Sequence, residues 1–106
     1  MLDTLFGDRL KLSQLITQLA PQTLDQAKQL QALTQRRDRL WLAIQRLINC
    51  DITSRTAGIE DAREQLDAKS AELARLAGTF DDVARAIALV DELVDIAAAV
   101  ATAATT

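Results

Sequence analysis

The side chains of this chain that could do chemistry are one thiol, three pairs of carboxylates and a short run of arginines. Cys50 is the only cysteine, and the sequence contains neither histidine nor tyrosine. Nucleophilic catalysis by a thiol or hydroxyl relies on a neighbouring base such as histidine, and a zinc site needs several Cys or His ligands. We therefore interpret Cys50 as a packed or partly exposed thiol, and we expect no enzyme active site, no cofactor and no metal centre.

Two carboxylates on one helix face could bridge a cation. Such pairs are Glu60 with Glu64, Asp81 with Asp82, and Asp91 with Asp95. Calcium and magnesium prefer six or more oxygen ligands, and no loop of alternating oxygen-bearing residues accompanies any of the pairs. We interpret the pairs as solvated helix faces, with the 81/82 pair complementing the positive end of a helix dipole.

Arg36, Arg37, Arg39 and Arg46 form the only basic cluster. Arginines in such a cluster could contact nucleic acid phosphates. However, the sequence pI is about 4.8, and few aromatic residues are available to stack on bases. We therefore do not expect nucleic acid binding, and we expect these arginines to pair with acidic residues of the third or fourth helix.

The elements that position these groups are helices, because apolar residues recur every seven positions. One series is Ile52, Ile59, Leu66, Leu73, Phe80, Ile87 and Val94. The other is Ile48, Arg55, Ala62, Lys69, Leu76, Val83, Val90 and Ala97. Both series lie on one stripe of a helix, which other helices must cover. Where Arg37, Arg55 and Lys69 interrupt apolar stripes, we expect their aliphatic stems to follow the rim of the core.

The sequence predicts a single all-α domain over residues 1–106, an antiparallel four-helix bundle with coiled-coil-like packing. The helices are expected at about residues 3–19, 22–51, 56–77 and 80–104. Asp3 is a candidate N-cap, Pro21 ends the first helix, and the hydroxyl residues of 53–56 favour a turn. Signals for strands are nearly absent.

The boundary at Gly78 has two interpretations. Gly78 is suited to follow a helix C-terminus, and Thr79 with Asp82 resembles a capping box. The seven-residue register nevertheless runs through this point without a break. We favour a break, and the alternative is one long helix from about residue 57 to 104, which would give an extended helical hairpin.

Charge is distributed unevenly between the two halves. Residues 1–55 contain eight basic and five acidic side chains, whereas residues 56–106 contain four and ten. The halves, with net charges of +3 and −6, should attract each other within one chain or between neighbouring chains. Such pairs contribute little stability but can set orientation.

These features favour a non-catalytic protein–protein interaction or assembly module, such as an accessory, regulatory or scaffolding subunit. The last helix carries apolar groups on several sides, and the stripe of the second helix is widened by Trp41 and Ile48. The candidate interface residues are Trp41, Ile44, Ile48, Ile87, Val90, Val94 and Val100. The expected partner is another protein, in a homo-oligomer or a hetero-complex.

The alternative function is membrane association through the Ala- and Val-rich last helix. Its most apolar stretch, residues 96–104, is shorter than the roughly 20 residues that span a bilayer. Its acidic residues also disfavour anionic lipid surfaces. The N-terminal residues lack the basic and apolar regions of a signal peptide, so we expect a soluble, cytoplasmic protein.

Overall fold

The computed structural model describes residues 1–50 and 57–105. Its α-helices are α1 (Leu2–Gln18), α2 (Leu24–Ile48), α3 (Ala57–Ala74) and α4 (Val83–Thr105), and a 3₁₀ turn at Phe80–Asp82 leads directly into α4. Those two ranges contain no strand. The all-α four-helix bundle is confirmed, whereas packing of the coiled-coil type stays a prediction. The turn expected at 53–56 lies outside the described residues, as do Ile52 and Arg55.

The bundle consists of two helical hairpins lying side by side. α1 and α2 form the first hairpin, and α3 and α4 form the second. α1 packs against α2 and α3, and α4 packs against the same two helices. The helices therefore follow the order α1, α2, α4, α3 around the bundle, with α2 and α3 at opposite corners.

Neighbouring helices from different hairpins run parallel. Asp8 of α1 contacts Ser70 of α3, and Lys11 contacts the carbonyl of Leu76, so both chains advance in the same direction. Residues 36–46 of α2 likewise run beside residues 91–98 of α4. Consecutive helices are antiparallel, as expected, but each helix has one parallel and one antiparallel neighbour.

Leucine, valine and alanine side chains fill the core along the whole bundle. The largest side chains with almost no exposed area are Leu5, Leu12, Leu33, Leu40, Ile44, Leu47, Ile59, Leu66, Leu73, Leu89, Leu93 and Val83. In α3 the buried residues come from the first seven-residue series, as in Leu66. In α4 the members of the second series, such as Val90, are buried together with residues of neither series, such as Leu93. Ile87 and Val94 of the first series are only partly buried there.

The connection between α3 and α4 explains this change of series. α3 ends at Ala74, so the predicted break is confirmed and the fused helix is wrong. The expected capping box is not formed, because the Thr79 side chain makes no capping hydrogen bond. Instead the Asp82 carboxylate accepts a 2.7 Å hydrogen bond from the Ala77 amide.

Gly78 does not adopt the left-handed conformation that a glycine C-terminal to a helix often uses, since no described residue has a positive φ. A Cβ atom at this position would meet the side-chain oxygen of Gln18, the flexible end of an exposed side chain that could shift. The contact shows that the end of α1 lies beside the connection, but it does not by itself require glycine.

The start of α2 is fixed by local polar bonds. Thr23 is the N-cap, and its hydroxyl oxygen accepts a 3.1 Å hydrogen bond from the Gln26 amide. The Gln26 side chain in turn accepts a 2.9 Å bond from the Gln22 amide. α2 therefore begins at Leu24. The N-cap of α1 is Met1, which leaves Asp3 inside the first turn and not at the cap.

Candidate protein interaction surfaces

The structure divides the seven predicted interface residues into two groups. Ile44, Val90 and Val100 lie in the core, each no more than 1% exposed, so this chain's own helices already cover them. Trp41, Ile87 and Val94 are only partly buried, and Ile48 is 52% exposed. Trp41 and Ile48 belong to a surface between α1 and α2, Val94 lines a groove between α2 and α4, and Ile87 belongs to neither.

The α1–α2 surface is defined by Phe6, Arg9, Leu10, Trp41 and Ile48. The Phe6 and Trp41 rings lie 6.1 Å apart between centroids with a 54° tilt. The Arg9 guanidinium lies 4.3 Å from the centre of the Trp41 ring, a cation–π contact. Leu10 lies one helical turn after Phe6, and Ile48 two turns after Trp41. This arrangement exposes a bulky apolar patch around one tryptophan.

Two side chains place apolar area at the outer side of the patch. Leu10 is 60% exposed and Phe6 is 40% exposed, so neither is buried in the core. The Nε atom of Arg9 is buried and has no hydrogen-bond partner among the described residues. Arg9 therefore contributes to the patch through the contact of its guanidinium with the Trp41 ring.

The sequence reasoning missed Phe6 and Leu10. A signal was present, because both residues lie outside the inward-facing series of Leu5 and Leu12 while remaining apolar. What the sequence does not contain is their distance from Trp41, which depends on how α1 packs against α2.

The second surface is a groove between α2 and α4. It has a volume of about 290 Å³ and is lined by Arg39, Leu42, Ala43, Arg46, Val94, Ala97 and Ala98. Leu42 is 64% exposed at its edge. Arg39 and Arg46 have no acidic partner within the described chain, so the groove has an apolar floor and a positive rim.

Only part of the predicted charge pairing is formed. Arg36 contacts Asp91 at 2.7 Å and thereby joins the basic half to the acidic half. Arg37 is paired with its neighbour Asp38 at 3.5 Å. Within the second hairpin, Lys69 lies 3.0 Å from Glu92, and Arg85 contacts Glu72. The side chains of these pairs are partly exposed, so each contributes little stability.

The carboxylate pairs do not converge on a common site. Asp91 turns toward α2, whereas Asp95 lines a groove beside α3. No cluster of three or more Cys, His, Asp or Glu side chains that could hold a metal ion occurs in the residues the structure describes. In the same ranges, no helix has both the length and the apolar character required to cross a bilayer.

Two further polar groups lie between helices. Asp8 of α1 is buried and accepts a 2.6 Å hydrogen bond from the Ser70 hydroxyl of α3. The pKa of Asp8 is raised to about 6, chiefly by burial and to a smaller extent by repulsion from Asp67, while the Ser70 hydrogen bond opposes the rise. The Cys50 thiol is partly buried and contacts the Arg46 carbonyl at 3.3 Å.

Comparison of the chain with protein-family models, with curated proteins and with solved structures finds no match.

Proposed function

We propose that this chain is a non-catalytic helical interaction module that binds a protein partner through its α1–α2 surface. The observation that carries the proposal is the cluster at the bundle surface of Phe6, which is exposed, with Trp41 and Arg9, which are partly exposed. Tryptophan and arginine are enriched among the residues that dominate protein–protein binding, especially where they are surrounded by apolar neighbours. Leu10 and Ile48 supply such neighbours on either side.

Binding at the α1–α2 surface is favourable because a partner can bury its apolar area at a small cost in side-chain entropy. Trp41 is already oriented by the Phe6 ring and by the Arg9 guanidinium. A partner that covers the patch therefore removes apolar area from water without having to order the tryptophan first. The bundle core is already filled, so the patch is available for binding without unfolding.

The biological role that fits is that of an accessory, regulatory or scaffolding subunit, which we place in the cytoplasm and in an oligomeric or heteromeric complex. Support for a non-enzymatic role comes from the chemistry present. Asp8, the buried carboxylate of residues 1–50 and 57–105, is bound to Ser70 and lines neither the α2–α4 groove nor the groove beside α3.

Membrane association through α4 is less well supported. The large apolar side chains of this helix, such as Leu89 and Leu93, are buried in the bundle core. Their insertion into lipid would require α4 to leave its neighbours. Flotation with liposomes would detect this, and membrane binding by the folded protein would contradict the proposal.

The test uses affinity capture with matched variants, followed by purification of the captured protein and measurement of its affinity. Trp41→Ala, at the centre of the surface, and Leu10→Asp, beside it, should each weaken binding at least about tenfold, because each removes apolar contact. Leu24→Asp is the control, since Leu24 is 72% exposed and lies outside the surface. Trp41 is the only tryptophan, so its fluorescence should shift to shorter wavelength on binding.

Circular dichroism should show the same helicity for the wild-type chain, Leu10→Asp and Leu24→Asp. Equal affinity of all variants for the captured protein would contradict the proposed surface. So would a bound complex in which Trp41 emission is unchanged.

A further inference from the structure

The α2–α4 groove carries two positive charges that have no acidic partner within residues 1–50 and 57–105. Arg39 and Arg46 are exposed and lie one heptad apart on α2, which is about 10 Å along a helix. Leu42 lies between them at the edge of the groove, with Ala43 and Val94 below. An occupant of this groove should therefore be a helix that offers carboxylates over about two turns and a flat apolar surface beside them.

The outer face of α3 has this chemistry. Glu60, Glu64 and Asp67 are exposed within two turns of this helix, and none of them has a basic partner in the part of the chain that the structure describes. Ala68 and Ala71 follow on the same exposed side. Small residues let another helix approach closely, so a bulky side chain such as Leu42 could lie against them.

The two surfaces cannot meet within one molecule. α2 and α3 occupy opposite corners of the bundle, and the outer face of α3 points away from it. Among the described residues, the ion pair of Arg36 with Asp91 joins the basic half to the acidic half. A second molecule can therefore supply the carboxylates that Arg39 and Arg46 do not meet within these residues.

We propose that the α2–α4 groove of one copy of this chain binds the acidic outer face of α3 of a second copy. The contact is heterologous, because the two copies contribute different surfaces, so each molecule retains one free groove and one free acidic face. Repetition gives open chains or closed rings in place of a symmetric dimer. The inference does not depend on the α1–α2 surface, which lies on the other side of α2.

The first test is sedimentation of the purified chain over a concentration series at low salt. The weight-average mass should rise above the 11.6 kDa of one chain and should fall when salt shortens the Debye length. Arg39→Ala with Arg46→Ala, and separately Glu60→Gln with Glu64→Gln, should weaken association at least about tenfold. Lys28→Ala and Asp3→Asn are the controls, because each removes one exposed charge outside the two surfaces.

The second test mixes the two double variants. The arginine double variant still has its acidic face, and the glutamate double variant still has its groove, so the mixture contains one productive contact. It should form a 1:1 complex that stops at two chains, although each variant alone is monomeric. A two-fold dimer with reciprocal groove contacts would also regain one of its two contacts in the mixture, so the heterologous arrangement is distinguished by the wild-type chain, which should grow beyond two copies while the mixture stops at two.

A wild-type chain that stays monomeric at all concentrations at low salt would overturn the proposal. The proposal would also be overturned if neither double variant weakened association, or if the mixture of the two double variants remained monomeric. Leu10→Asp should leave self-association unchanged, so failure of this inference is distinguishable from failure of the α1–α2 surface. Circular dichroism of each variant confirms that lost association is not lost folding.

Discussion

Among single residues, Asp8 has the most unusual position in this bundle. It lies on the inward side of α1 between Leu5 and Leu12, a position where the helical repeat calls for an apolar side chain. The Ser70 hydroxyl is its only hydrogen-bond partner among the described residues. A buried carboxylate without a cationic partner is stable mainly in its neutral form, which is why its pKa is raised.

The expected consequence is a dependence of stability on pH that involves Asp8. Its pKa is about 6 in the folded chain against 3.8 without perturbation, so between these values the folded state holds more protons than the unfolded state. The free energy of unfolding should therefore fall as pH rises from below the unfolded pKa to above the folded pKa, by at most about 3 kcal/mol from this residue, with about 2 kcal/mol of the fall between about pH 4 and pH 6. Asp8→Asn should remove that contribution and be the more stable protein at pH 7.

Urea unfolding of both proteins at several pH values measures this difference. Other carboxylates titrate in the same range, so the quantity to compare is the difference between wild type and variant. Asp3→Asn serves as the control, because Asp3 lies on the same helix and is exposed. Parallel stability curves for the wild type and Asp8→Asn would contradict the assignment.

Among the helices, the ends depend more on local polar bonds than on the apolar repeats. The seven-residue register continues through residues 75–79, yet α3 ends at Ala74 and a different apolar series faces the core in α4. The connection rotates the chain, so continuity of a pattern does not imply continuity of a helix. A local polar bond also sets the start of α2, where the Thr23 hydroxyl is the N-cap. The three-residue spacing of Thr23 and Gln26 in the sequence could have indicated this cap.

The cap of α2 can be tested by Thr23→Ala. The variant should lower the free energy of unfolding by about 1 kcal/mol, because the Gln26 amide loses its acceptor. Thr17→Ala is the matched control, since this exposed hydroxyl only bonds the Ser13 carbonyl one turn back within α1. The control should be neutral or slightly stabilising, and equal losses in the two variants would contradict the capping role.

At the scale of the whole molecule, the arrangement of the two hairpins decides which surfaces exist. α1 lies beside α3 and α2 beside α4, both in parallel, and this places the acidic face of α3 far from the arginines of α2. In a bundle whose helices followed chain order, α2 and α3 would be neighbours, and those charges could pair within the molecule.

Crosslinking through engineered cysteines tests this arrangement. Gln18→Cys with Gly78→Cys, in a Cys50→Ser background, should be joined rapidly by a short bifunctional thiol reagent, because the two positions are in contact. Gln18→Cys with Glu60→Cys should react slowly, since Glu60 lies near the opposite end of α3, roughly 20 Å away along the helix. Comparable rates for both pairs would contradict the parallel packing of α1 and α3.

The sequence by itself determined the class of fold, the number of helices and the break before Phe80. These depend on local physics: apolar residues at heptad spacing make a stripe that must be covered, while glycine, proline and hydroxyl residues end helices. The lack of histidine likewise limits the available chemistry, however the helices pack. The same reasoning could identify Trp41, Ile44 and Val90 as apolar residues on helices, but it could not tell which of them are buried.

Only the tertiary structure decided which of those side chains are covered. Ile44, Val90 and Val100 turn inward, while Trp41 remains at the surface beside Phe6 and Arg9. Whether an apolar side chain is buried depends on which neighbour packs on its side of the helix, and that depends on residues distant in the sequence. Asp8 illustrates the same point, since its burial and its raised pKa exist only because α3 lies against α1.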